Sequence, residues 1–195
     1  MNMKEFGLIT IFILLIAIIV YQGIHYQKSS VQGKEFKLIL KTNIESTDNS
    51  LNNEQPALNF YSEASTAYGN GDYLSVQANC RLARSDFSAA SNGYLAIASE
   101  LKSGNTPLLQ KYEELYTLAS DIQTNLYEAC EHFETAAGYY HTYYDTSVSA
   151  DDQSYQMGTN EITAMNEKIA DHDANVRKYN TLLADINTEL EKETQ

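Results

Sequence analysis

Residues 73–101 read YLSVQANCRLARSDFSAASNGYLAIASEL, and this stretch decides the fold. Tyr73, Cys80, Phe87, Tyr94 and Leu101 recur every seven residues, with Val76, Ala83, Ala90 and Ile97 three places after the first four. Apolar residues at alternating spacings of three and four form one stripe along a helix, the a/d seam that buries against partner helices. The pattern specifies architecture and carries no chemistry of its own.

Gly69-Asn70-Gly71 precedes this helix and Asp72 is its expected N-cap. Upstream, Pro56 suits a first helical position, and Ala57, Phe60, Tyr61, Ala64, Ala67 and Tyr68 lie along one face of a short helix. The turn between Tyr68 and Tyr73 resembles the helix–turn–helix of a tetratricopeptide repeat, but no second copy follows at the repeat spacing.

Downstream, Gly104-Asn105-Thr106-Pro107 signals a stop and a restart, with Thr106 as cap and Pro107 in the first turn. Tyr112, Ala119, Leu126, Phe133 and Tyr140 then repeat at seven, interleaved with Leu115, Ile122, Ala129, Ala136 and Tyr143. A short turn makes the two helices an antiparallel hairpin. Residue numbers summing to 209 pair seam with seam: Leu101 with Leu108, Tyr94 with Leu115, Phe87 with Ile122, Val76 with Phe133. Ala90 opposite Ala119 is the expected closest approach.

Asp145 to Gly158 is polar and reads as a loop. A last helix capped by Thr159 or Asn160 follows, with Ile162, Ile169, Val176, Leu183 and Leu190 at seven and Met165, His172, Tyr179 and Ile186 between them. The reading is all-α: an N-terminal transmembrane helix, then an antiparallel bundle of three long heptad-patterned helices plus one short helix. Residues 1–27 form the anchor, 28–54 a connector and 55–195 the bundle. Within the connector, Phe36 to Leu40 reads equally as a short strand or a helical extension.

The anchor rests on Phe6 to Ile24, apolar over about the length that crosses a hydrocarbon core roughly 30 Å thick. Tyr21 and Tyr26 stand where an interfacial belt falls, and Ile18-Ile19-Val20-Tyr21 offers no signal-peptidase site. Leu8 to Val20 resembles the hydrophobic helix of a type IV pilin or archaeal pilin-like subunit, which implies processing near Gly7. Those families place Glu or Gln soon after the processing site, whereas here Leu8-Ile9-Thr10-Ile11-Phe12 follows. Flanking lysines (Lys28, Lys34, Lys37 and Lys41 against Lys4) favour a cytoplasmic body. The short leading tail, the Lys/Arg-poor body and a cysteine pair favour an outside one, which is the expectation adopted.

The net charge is -13. Five lysines face two glutamates up to Thr42, and eight basic residues face 24 acidic ones beyond it. Such a chain cannot neutralise a run of phosphates, so nucleic acid is excluded as a partner. The expected partners are the bilayer, through Phe6–Ile24, and a protein or a second copy of the chain.

Cys80 and Cys130 are each 25 residues from Asn105, so the hairpin brings them level; the expectation is a disulfide, the alternative two buried thiols. His172 occupies a seam position between Asp171 and Asp173, as a register-setting polar layer or a pH-sensitive imidazole. Tyr139, Tyr140, Tyr143 and Tyr144 fall at the same end as Tyr68 and Tyr73, forming either a ligand or partner patch or ordinary end packing. No phosphate loop, nucleophile elbow or metal-ligand spacing appears, so no catalytic residue, metal or cofactor is expected. The function expected is a non-catalytic structural or interaction module at the cell surface. A ligand-sensing bundle signalling through a partner is the alternative, and a pilin-like subunit the third.

Overall fold

A computed structural model describes residues 30–102, 104, 106–145 and 152–193. The elements are α1 (Ser30–Asn49), a π-helical turn (Ser50–Glu54), α2 (Gln55–Gly69), α3 (Tyr73–Leu101), α4 (Pro107–Tyr144) and α5 (Asp152–Glu193). Among the described residues all regular structure is helical. The expected membrane helix, Phe6–Ile24, lies outside the described residues, and no described helix is long and apolar enough to cross a membrane.

α1, the π turn and α2 run on without a break, so the described residues form four rods. Asn49 and Gln55 flank the π turn in ordinary helical geometry, and the Gln55 amide reaches back five residues to the Ser50 carbonyl. The extra residue in that turn re-phases the rod, as a π-bulge does. Residues 30–49 are thus a helix docked on the bundle, with Ile39, Thr42 and Asn43 buried. The helical alternative for Phe36–Leu40 is the one found. Tyr116 donates to Asn43 Oδ1 across this contact, and Lys41 pairs with Glu100 at 2.7 Å.

The turns follow their residues. Gly71 takes φ +74°, a conformation that only glycine adopts without strain, and the Asp72 carboxylate accepts from the Ser75 amide at 3.1 Å. Thr106 accepts from the Leu109 amide with Pro107 in the first turn. The last helix departs from expectation. It begins at Asp152, seven residues before Thr159, with that aspartate in its first turn, where a carboxylate favours the helix dipole.

The hairpin of α3 and α4 is present, and the expected partners Val76 and Phe133 share one cluster, Tyr94 and Leu115 the other. Side chains that meet across it include Cys80 with Cys130, Tyr94 with Tyr116, Ser91 with both Ser120 and Thr124, and Arg84 with Tyr127 and Glu131. The buried stripe is wider than a/d. On α4, Tyr116, Ser120, Gln123, Cys130 and Ala137 are buried, while Ile122 is only half-buried. Phe87 belongs to one cluster with Leu126 and Cys130. A helix facing two neighbours needs a broader apolar face than a two-stranded seam, and α4 touches both α3 and α5.

Two apolar clusters stack along the bundle. One gathers Ile39, Ile97, Leu101, Leu109, Leu115, Ile186 and Leu190 near the α3–α4 turn. The other gathers Ala57, Ala64, Val76, Phe87, Leu126 and Phe133, with Ile162, Met165 and Ile169 of α5 against it. The chain enters beside the first cluster at α1, and α5 ends there. The other end carries the tyrosines.

Candidate functional site

Four helix ends converge at the far end: the C-termini of α2 and α4 and the N-termini of α3 and α5. Tyr140, Tyr143 and Tyr144 share a face through three- and four-residue spacings. Tyr68 and Tyr73 are brought together by the Gly69–Gly71 turn, their rings 6.0 Å apart. Tyr140 lies 6.0 Å from Tyr68 and 5.7 Å from Tyr73. Tyr73 and Tyr144 stack nearly parallel at 5.8 Å and 9°, and Tyr143 meets Tyr144 edge-on at 4.8 Å.

Tyr155 completes the group, 5.6 Å from Tyr140 and 5.1 Å from Tyr143. Local composition reads 145–158 as a loop and so leaves Tyr155 out of the patch; the signal for it is Asp152, an acidic first-turn residue one turn ahead. Tyr139, expected in the patch, is half-buried and makes none of these ring contacts.

The cluster has a buried base and an open rim. Tyr140 is buried, its hydroxyl 3.2 Å from Thr159 Oγ1, and Gly158 packs so close that an added Cβ would stand 3.0 Å from the Tyr140 ring. Tyr144 and Tyr155 are 54% and 44% exposed. Burial, with Tyr140 next to it, pushes the Tyr68 phenol up to about 12, and burial likewise raises Tyr73. Both therefore stay neutral hydroxyls across the physiological range.

Charge sharpens the picture. No Lys or Arg occurs in residues 42–80 or 112–167, the segments that build this end. Glu63, Asp72, Asp145 and Asp152 are all exposed around it. Arg81 and Arg84, the first guanidinium groups along α3, are engaged lower down. Arg81 pairs with Glu134 at 2.6 Å; Arg84 pairs with Glu131 and Glu134 and lies 4.7 Å over the Tyr127 ring.

A second polar group sits mid-bundle, between the apolar clusters. Glu54, half-buried with its carboxylate turned inward, accepts from the Tyr94 hydroxyl at 2.7 Å. Ser50 and Gln123 also donate to it, and His172 and Tyr179 of α5 stand close enough to interact electrostatically. Burial pushes the Glu54 carboxyl above its ordinary value despite those donors. His172 is thus half-buried beside a four-rod polar layer, its Nδ1 also 3.1 Å from Asp173.

Cys80 and Cys130 are completely buried, in contact, and free thiols. The expected bridge has its two partners side by side. The hairpin supplies adjacency, and bond formation additionally requires an oxidant. Contact with Cys80, then burial, pushes the Cys130 thiol far above its ordinary value, the reverse of a reactive cysteine.

Among the described residues no three His, Cys, Asp or Glu side chains are grouped to hold a metal ion. Compared with known proteins, the chain matches no family model, no curated protein and no solved structure.

Proposed function

We propose that the protein is a membrane-anchored, non-catalytic interaction module. Phe6–Ile24 holds it in the bilayer, and the bundle stands outside the cytoplasm with its tyrosine-rich end as the binding surface. The observation that carries this reading is the placement of that end. The chain enters at α1 beside the α3–α4 turn, and the exposed rings of Tyr144 and Tyr155 sit at the opposite pole. α4 alone has 38 residues, roughly 55 Å at helical rise. An anchor preceding α1 would thus hold the aromatic surface well clear of lipid, where a partner reaches it. Exposed tyrosines are the residue type that dominates binding hot spots.

The test is topology in intact cells. A C-terminal epitope that added protease removes without lysis supports the reading; one cut only after permeabilisation removes it. A sensing role at the same tyrosine-rich end is the second reading, supported by the buried Tyr140 hydroxyl that meets Thr159 Oγ1 beneath the exposed rings. Under it, a small molecule raises the melting temperature of the wild-type chain and not of the Tyr140→Ala or Tyr143→Ala variant. A pilin-like role would require cleavage near Gly7, which N-terminal sequencing of the mature chain detects.

A further inference from the structure

We propose that the tyrosine-rich end receives the Lys and Arg side chains of a basic polypeptide segment; this deepens the binding role above and rests on it. Two independent observations meet there. The rings of Tyr73, Tyr143, Tyr144 and Tyr155 form an open surface set at several angles, from 9° between Tyr73 and Tyr144 to 83° between Tyr143 and Tyr144. A tyrosine face attracts an ammonium or guanidinium group within about 6 Å of its centroid. The segments around these rings carry carboxylates and no Lys or Arg, the one imidazole being that of His141 at the end of α4. The Asp72 side chain, held in its charged form by hydrogen bonds from Ser75, is one of them. An anionic partner meets no counter-charge here, whereas a cationic one is drawn both to the rings and to the acidic rim.

The fold already uses this chemistry within itself. Arg84 lies over the Tyr127 ring while pairing with Glu131 and Glu134, so ring, cation and carboxylate are combined at one site about three turns below the tip. At the tip the rings and acids are present and the cation is not supplied by the same segments. The surface is open and not a closed cage, and each exposed ring contributes only a few-fold in affinity. Useful binding therefore requires several basic side chains on one chain, which favours a polypeptide over a lone ammonium ion.

The experiment titrates the full chain, in a neutral maltoside detergent, with a synthetic (Arg-Gly)6 peptide, a (Glu-Gly)6 peptide and tetramethylammonium chloride. The Arg peptide is expected to bind and the other two probes to bind at least tenfold more weakly. Tyr144→Ala and Tyr155→Ala should each weaken it about five-fold. Tyr144→Phe, which keeps the ring face, should stay within about two-fold. Leu95→Ala, an exposed change in the other half of α3, should have no effect. Both tyrosines are surface residues, and unchanged melting curves would confirm that the variants fold. Three results would overturn the proposal: no binding, equal binding by the alanine variants (a general pull of an acidic chain on a polycation), or tetramethylammonium binding as tightly as the peptide. Failure of the anchored reading is separate, since a protected C-terminus in cells leaves this titration unaffected.

Discussion

The Tyr94 hydroxyl donates to Glu54 Oε2 at 2.7 Å, joining the π turn of the first rod to the middle of α3. Tyr94 is 5% exposed, so water cannot replace the bond. Removing a donor to a buried carboxylate costs about 2 kcal/mol, and that is the loss expected for Tyr94→Phe. In a Glu54→Gln background the same change should cost under about 1 kcal/mol, because no charge is left uncompensated. Equilibrium urea unfolding of the four proteins measures the coupling; additive losses would mean the contact is incidental.

The same carboxyl sets a pH dependence. Burial raises Glu54 above its ordinary 4.5 in the folded state, so between those two values the native protein holds a proton that the unfolded chain has released. Stability from this group is therefore present at acid pH and lost as pH rises through the folded value. Ser50, Tyr94, Gln123, His172 and Tyr179 face it and set where the change falls. Melting temperature should climb on acidification from neutrality, and Glu54→Gln should flatten that climb. At lower pH the exposed Asp72, whose carboxyl is held below its usual range by Ser75, works in the opposite sense.

Gly93 is where the end of α1 packs tightly on α3. A Cβ there would stand 2.4 Å from Asn49 Oδ1, and the Asn49 amide donates to the Ala90 carbonyl at 2.8 Å. In an exposed helix Gly→Ala gains about 1 kcal/mol, but overpacking costs about 1–3 kcal/mol. Gly93→Ala should thus be destabilising on balance, with faster amide exchange in α1. Adding Asn49→Ala should recover part of the loss, and a more stable single variant would show that α1 is not held there.

Cys80 and Cys130 touch while neither is exposed. Iodoacetamide should modify neither in the native protein and both after unfolding. Refolding with oxidised glutathione should join them with release of two glutathione thiols. In the chain-entropy view, closing a loop of about 50 residues contributes about 4 kcal/mol. A bridged protein no more stable than the reduced one would mean that the helices hold the sulfurs in a geometry the bond strains.

Much of this molecule was readable in its residues. The heptads of 73–101 and 107–144, the Gly71 and Pro107 turns and the caps Asp72 and Thr106 are local signals, set by spacing and by what a single residue's backbone allows. They sufficed to place Cys80 beside Cys130 and to collect Tyr68, Tyr73, Tyr140, Tyr143 and Tyr144 at one end. Three things were decided only by the assembled rods: the burial of Gln123 beside a half-buried Ile122, the docking of residues 30–49, and the entry of Tyr155. Each depends on a neighbour remote in the chain. A seam read from one helix says that a stripe is buried but not how wide it is or which residue stands across from it; those follow from side-chain volumes meeting at close packing, which no local pattern encodes.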